Sequence, residues 1–135
     1  NLSSFSLLTR RLFAWGMALS AAFTLAYAVA GRCLLELLTN NAQVVAQAIN
    51  FIPYACAIPM VSFAAFIYDG LFIGTTSTKL MLASMLAASM CFFAVITLCP
   101  DGNVSLWCAF LSYLGCRGLM QAWLYQRIVK KMRLL

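Results

Sequence analysis

Asp69 is one of only three acidic residues in the chain, and it lies inside a long apolar stretch. It occurs in the segment "FAAFIYDGLFIGTTSTK", residues 63–79, directly before Gly70. Carboxylates inside a membrane are costly, and those that occur often bind cations or carry protons. Asp69 is therefore the main candidate for a cation- or proton-binding residue. The alternative is that Asp69 and Gly70 form a helix end or turn at the membrane surface.

Arg117 is a second charged residue in an apolar stretch, within the sequence "LGCRGLM". A guanidinium in such a place needs an acidic partner or a water-filled cavity. Asp69 is one potential partner, because both residues are predicted in the inner halves of their apolar stretches. Alternatively, the long side chain of Arg117 reaches the membrane interface by snorkelling. We favour a structural role for Arg117.

The apolar stretch that contains Asp69 also contains two prolines, Pro53 and Pro59. Each proline lacks a backbone donor, so we expect a kink or bend in the helix near both. Asn50 adds a polar group, and irregular backbone in a membrane is tolerated where it faces protein or a cavity. We therefore expect this helix to line a cavity. Tyr68 could contact a ligand there, although aromatic residues near membrane interfaces are more often anchors or packing residues.

The composition predicts an integral membrane protein, or a part of one. Of the 135 residues, 64% are hydrophobic and 9% are charged, against about 45–50% and about 25% in an ordinary soluble domain. A membrane-spanning helix takes about 20 apolar residues, and four stretches are long enough. They predict spans at residues 12–38, 44–74, 80–99 and 104–126. The short connections between them predict an all-α bundle of four antiparallel transmembrane helices.

The charged residues are distributed unevenly between the two sides of these spans. The basic residues on one side are Arg10, Arg11, Lys79, Arg127, Lys130, Lys131 and Arg133. The other side carries Asp101 and also Arg32 and Glu36, whose i, i+4 spacing predicts a helical ion pair. The positive-inside rule then places both termini of this segment in the cytoplasm. We expect the basic tail, residues 127–135, to contact anionic membrane lipid and do not expect nucleic-acid binding.

Several classes of protein find no support in the sequence. The chain has no histidine, and its six cysteines include no CxxC pair. It also contains no nucleophile elbow and no glycine-rich phosphate loop. We therefore expect neither an enzyme nor a metal site nor a bound cofactor. No cleavable signal peptide is evident. The chain begins with Asn1 and its first methionine is Met17, so we expect a fragment of a longer protein.

Four stretches of the chain carry a recognisable family pattern. They are "AGRCLLELLTNNAQVVAQA", "DGLFIGTT", "KLMLASML" and "LWCAFLSYLGCRGL". Together they resemble the end of a multidrug and toxic compound extrusion (MATE) transporter of the DinF-like branch. The sequence departs from the family at Thr75, where alanine is common. It also departs at residues 78–80, where basic and polar residues usually precede the methionine.

The resemblance implies that the chain supplies the last four of twelve helices, as part of a six-helix lobe. It also implies a bacterial inner-membrane antiporter that exports cationic or amphipathic compounds in exchange for H⁺ or Na⁺. Related transporters place a cation-site carboxylate on the tenth helix, where Asp69 is the matching acid. The partner acid on the seventh helix and the proton site on the first helix lie outside this chain. Transport would therefore belong to the longer protein, which includes the preceding helices.

Two other interpretations remain open. The chain could be a complete small four-helix transporter that acts as an oligomer, or a membrane scaffold. A small oligomeric transporter is expected to carry an acid in the middle of its first span, which is acid-free through Ala30. A scaffold would account for the hydrophobicity but not for the kinked second span or for Asp69 and Arg117.

Overall fold

The protein is all-α. A computed structural model describes residues 2–99 and 102–133, and within these ranges it contains five helices and no strand. The helices are α1 (Leu2–Leu38), α2 (Ala42–Ile49), α3 (Ile52–Gly74), α4 (Thr78–Leu98) and α5 (Gly102–Arg133). The first half of the "PDGN" turn, with Asp101, and the last two residues of the basic tail lie outside the described residues.

Three of these helices are long and apolar enough to cross a membrane, judged by length and composition: Ser4–Leu38, Ile52–Gly74 and Thr78–Leu98. Together they identify a polytopic membrane protein. Helix α5 is longer than either α3 or α4, but Arg117 and Gln121 interrupt its apolar sequence. Its assignment as the fourth membrane span therefore stays a prediction.

The large and small side chains are distributed as a membrane protein requires. Large apolar side chains point outward, with Trp15 77% exposed and Leu37 84% exposed. Many of the buried positions between the helices hold small residues, among them Ser62, Ala65, Ser84, Ala88, Ser105 and Ala109. Small residues allow helix backbones to approach closely where apolar surroundings supply no hydrophobic drive for association. The outer surface of the bundle is thus suited to lipid or to further helices.

Helix α3 lies between α1 and α5, and α4 packs mainly on α5. Helices α1 and α3 are antiparallel, because Ser20 contacts Met60 while Thr24 contacts Cys56. Helices α3 and α5 run parallel, as two helices separated by one antiparallel helix must. At one end Phe51 stacks on Trp107 with ring centroids 6.2 Å apart. At the other end the rings of Tyr68 and Tyr125 lie 5.5 Å apart.

The predicted second span, residues 44–74, is not one helix but two. Helix α2 ends at Ile49, and α3 begins at Ile52 with Pro53 in its first turn. Proline is favoured there because the first backbone N–H groups of a helix have no intrahelical acceptor. Helix α2 has its own start signal, since the side chain of Asn41 accepts a hydrogen bond of 3.0 Å from the Gln43 amide. The bend expected near Pro53 is therefore a break between two helices.

The second proline, Pro59, lies inside α3, which continues without interruption. A proline in a helix leaves a carbonyl of the preceding turn without its usual donor. For Pro59 that carbonyl belongs to Ala55. The Thr24 hydroxyl of α1 donates a hydrogen bond of 3.0 Å to the next carbonyl of the same turn, that of Cys56. The contact also joins α1 to α3.

Five of the basic residues that are described in full lie at one end of the bundle. Arg10 and Arg11 lie near the start of α1, and Lys79 lies at the start of α4. Arg127 and Lys130 lie near the end of α5. At the opposite end, Arg32 Nε donates to Glu36 Oε1 at 2.9 Å, which confirms the predicted helical ion pair. The segregation of charge follows the pattern predicted from the sequence.

Gly118 allows α5 to approach α3 closely, which generates a prediction about packing. A Cβ atom at Gly118 would lie 3.7 Å from the Ala65 backbone nitrogen, an ordinary contact distance. We expect Gly118→Ala to be tolerated and Gly118→Leu to destabilise the fold by about 1–3 kcal/mol through overpacking. Thermal unfolding of the native protein in detergent measures this difference.

Gly70 provides the matched control for that experiment. It is also helical, but a Cβ atom there would have no neighbour within 4 Å. We expect Gly70→Leu to leave the unfolding temperature nearly unchanged. Equal losses from the two leucine substitutions would show that the α3–α5 contact at Gly118 does not limit packing.

Candidate functional site

Asp69 lies on the face of α3 that is turned towards α5. The face is defined by residues at helical spacing, Ser62, Ala65, Asp69 and Phe72. Of these, Ser62, Ala65 and Phe72 are buried. Helix α3 continues beyond Asp69 to Gly74, so Asp69 is not at a helix end. Only 15% of its side chain is exposed. The structure therefore places this carboxylate between helices.

Two side chains of α5 bind the two oxygens of the Asp69 carboxylate. Arg117 donates from Nη2 to Oδ2 in an ion pair. Gln121 donates from Nε2 to Oδ1 at 2.6 Å. Arg117 and Gln121 are spaced i, i+4, which places them on one face of α5. We call these three residues the Asp69 cluster.

Both α5 members of the Asp69 cluster are deeply buried. Arg117 is 7% exposed, and Gln121 is fully buried. Burying an isolated charge is very unfavourable, so buried charges are normally paired or neutralised. Asp69 and Arg117 each supply the charge that the other requires. Of the two alternatives for Arg117, pairing with Asp69 is the one observed.

The cluster leaves one donor and one acceptor unused. Among the described residues, Nε of Arg117 and Oε1 of Gln121 are buried without a hydrogen-bond partner. Arg117 therefore holds the carboxylate through one nitrogen rather than through the paired fork that makes arginine–carboxylate contacts strongest. The pair compensates charge, but its hydrogen bonding is incomplete.

Aromatic rings and a hydroxyl group pack around the next turn of this face of α5. Tyr125 follows Gln121 at i+4, and its hydroxyl donates to Thr9 Oγ1 of α1 at 3.2 Å. The Tyr68 ring lies 5.5 Å from the Tyr125 ring and 5.0 Å from that of Phe13. Tyr68 thus packs where α1, α3 and α5 meet, beside Asp69. Its contacts are those of a packing residue.

The remaining residues singled out from the sequence do not join the Asp69 cluster. Asn50 lies at the end of α2, and Pro53 in the first turn of α3. From Pro53 to Asp69 the helix rises about 24 Å. Pro59 lines an open cavity of about 630 Å³ between α1 and α3, together with Ser20 and other residues. The structure therefore separates the two prolines and Asn50 from the charged part of α3.

Gln121 is the cluster residue that was not predicted from the sequence. The sequence does contain a signal for Gln121: it is the polar residue at i+4 from Arg117, and so lies on the same face of the helix. An amide side chain in an apolar helix usually hydrogen-bonds another helix. Spacing from a known buried charge would have identified it.

The ion pair yields a prediction about stability. Removing one charge leaves the other buried without compensation, at a cost of about 3–5 kcal/mol. We expect Asp69→Asn and Arg117→Gln each to destabilise the native protein strongly. The double variant should lose much less than the sum of the two. Chemical or thermal unfolding of all three variants in detergent measures the coupling.

Arg32 and Glu36 are the matched control for the ion pair. Their side chains are 75% and 53% exposed, and exposed pairs contribute little to stability. Neutralising either should change stability only slightly. Additive losses at Asp69 and Arg117 would contradict a coupled buried pair.

Comparison with known proteins identifies a relative in Escherichia coli. The chain is 33% identical over 106 residues to DNA damage-inducible protein F of Escherichia coli (strain K12). The alignment covers 78% of this chain and 23% of that protein, so the chain spans about a quarter of the length of the curated relative it matches. No protein-family model and no solved structure matches the chain. The similarity supports the resemblance to DinF-like MATE transporters and, with the apolar helices, a multi-pass membrane protein.

Proposed function

We propose that this chain is the carboxy-terminal part of a longer DinF-like MATE transporter, within one six-helix lobe of a twelve-helix fold. Two observations support the proposal. The chain is similar to about a quarter of a protein identified as DNA damage-inducible protein F. It also forms long apolar helices whose outward faces are suited to lipid or to further helices. The preceding helices of the same protein are then its first partners.

The proposed activity is secondary active transport, in which H⁺ or Na⁺ entry drives export of a cationic or amphipathic compound. The observation that carries it is the buried Asp69 carboxylate, which is held between α3 and α5 by Arg117 and Gln121. A single buried carboxylate compensates one positive charge at a time, so two cations exclude each other there. Such exclusion is sufficient to exchange one cation for another.

The carboxylate also connects cation occupancy to helix packing. Asp69 belongs to α3, and both of its partners belong to α5. A cation that binds to one oxygen of the Asp69 carboxylate directly changes the contact between α3 and α5. A ligand shifts a conformational equilibrium only through different interactions with the two states, and this contact provides such a difference. The break before α3 and Pro59 within it supply places where the helix can bend.

The same proposal includes location and partners. We place the protein in the bacterial inner membrane, with the basic end of the bundle and both termini of this segment in the cytoplasm. The basic tail contacts anionic lipid, and no nucleic acid takes part. The protein is not an enzyme and needs no cofactor beyond its coupling ion. An independent four-helix oligomer or a scaffold is less favoured, because neither explains the similarity to a segment of a much longer protein.

Neutralising Asp69 tests the proposed function. In the full-length transporter, reconstituted in vesicles, we expect Asp69→Asn to reduce ion-driven efflux of ethidium by about tenfold or more. The reason is that the variant lacks the buried charge that would balance the cation. A tenfold loss corresponds to about 1.4 kcal/mol of binding free energy. Efflux is measured under an imposed pH gradient and, separately, a Na⁺ gradient.

Glu36→Gln is the matched control, since it removes an acid that is exposed and paired within one helix turn. We expect that variant to export at the unaltered rate. Unchanged efflux and ion coupling in a folded Asp69→Asn protein would assign Asp69 to packing alone.

The size of the native protein tests the proposed architecture. This chain has a mass of 14.8 kDa. The similar Escherichia coli protein has about 460 residues, because 106 residues are 23% of its length. At 14.8 kDa for 135 residues, a protein of that length has a mass of about 50 kDa. We expect intact-mass measurement of the native product, captured with an antibody to the basic tail, to find the larger species. A native product of this chain's own mass would instead support oligomers of four-helix units.

A further inference from the structure

The carboxylate that we propose as a cation site already has a cation bound to it. Arg117 is attached to the protein through α5, and its guanidinium contacts Asp69 Oδ2. We propose that Arg117 is a tethered competitor: it occupies Asp69 in the state described here and is displaced when a monovalent cation binds. The inference rests on the proposed function, because it requires a mobile cation to reach Asp69.

Charge balance is the first support for displacement. Asp69 carries one negative charge and Arg117 one positive charge, so the pair is neutral. Among the described side chains, Arg117 is the one cation that forms an ion pair with Asp69. A second cation added to the intact pair would leave an uncompensated positive charge in a buried site, which is strongly unfavourable. A cation must therefore replace the guanidinium rather than join it.

The geometry of Arg117 allows it to leave. Its Nη2 donates to Asp69, while its Nε has no acceptor among the described residues. The paired, two-nitrogen contact that makes arginine–carboxylate pairs strongest is therefore absent. Asp69 is the more accessible member, with 15% of its side chain exposed against 9% for Arg117. The long arginine stem can also carry its charged group towards an interface.

The atoms left after displacement suit a cation. Without Arg117 the site keeps both carboxylate oxygens of Asp69, and Oδ2 is the one that the guanidinium leaves. Oδ1 still accepts a hydrogen bond of 2.6 Å from Gln121 Nε2, which holds the carboxylate in place. A positive ligand would restore the charge compensation that Asp69 loses with Arg117. One positive charge replaces another, so the expected ligands are monovalent, either an inorganic cation or a lipophilic organic one.

Binding of tetraphenylphosphonium to the full-length protein tests the competition. Without the tethered guanidinium, Asp69 is free to bind the probe. We therefore expect Arg117→Gln to bind tetraphenylphosphonium at least about tenfold more tightly. A tenfold change in affinity is at the low end of the coupling measured between close charge pairs. The gain should disappear in the double variant Asp69→Asn/Arg117→Gln. Arg32→Gln, which removes an exposed arginine, should bind like the unaltered protein. Unchanged or weaker binding by folded Arg117→Gln would overturn the inference.

A second measurement uses the unaltered protein and so does not depend on a variant that folds. Phenylglyoxal modifies accessible arginines, and mass spectrometry locates the modified residue. We expect saturating tetraphenylphosphonium to accelerate modification of Arg117 at least severalfold, because the guanidinium is released from the carboxylate. Arg32 serves as an internal reference whose rate should not change. A constant or slower rate at Arg117 would contradict displacement.

The two proposals fail in different ways. If Asp69→Asn leaves both efflux and tetraphenylphosphonium binding intact, Asp69 is not the cation site, and the competitor role falls with it. If Asp69→Asn abolishes both while Arg117→Gln fails to tighten binding, the cation site stands and the competitor role is wrong. Tighter tetraphenylphosphonium binding by Arg117→Gln, together with faster modification of Arg117 in the presence of that probe, establishes the competitor role.

Discussion

A carboxylate placed between apolar helices must be compensated, and the arrangement of the bundle around α3 follows from that requirement. Asp69 obtains its compensation from Arg117 and its second hydrogen bond from Gln121, both on α5. Those contacts require α3 and α5 to approach closely. Gly118, next to Arg117, permits that approach beside Ala65. The ion pair and the small residues thus depend on each other.

The same requirement explains why α5 differs from the other long helices. Arg117 and Gln121 lower its apolar character, so by composition alone it does not qualify as a membrane span. Their charge and polarity are matched inside the protein by Asp69 rather than by solvent. Hydropathy treats each helix as isolated, whereas the cost of a buried polar group depends on its partner in another helix. In this bundle the polar groups of α3 and α5 compensate each other.

Features that depend on local sequence were predictable, and those that depend on contacts between helices were predictable only in part. The Arg32–Glu36 pair follows from i, i+4 spacing within one helix and was confirmed. The break before α3 was predicted as a bend, since Pro53 reveals a weak point but not how the chain resumes. The sequence could not decide between pairing and snorkelling for Arg117, because that choice depends on how α5 is rotated towards α3.

Stability alone does not account for a charged cluster at this position. Well-packed apolar residues often replace a buried ion pair with no loss of stability, and sometimes with a gain. The Asp69 cluster is also not optimised as a structural bond, because Arg117 uses one nitrogen and Gln121 leaves its amide oxygen unpartnered. Because the pair is neutral and its hydrogen bonding is incomplete, another cation can replace the guanidinium at a modest cost in free energy. Incomplete hydrogen bonding is therefore better suited to a contact that opens during a functional cycle than to a permanent link between helices.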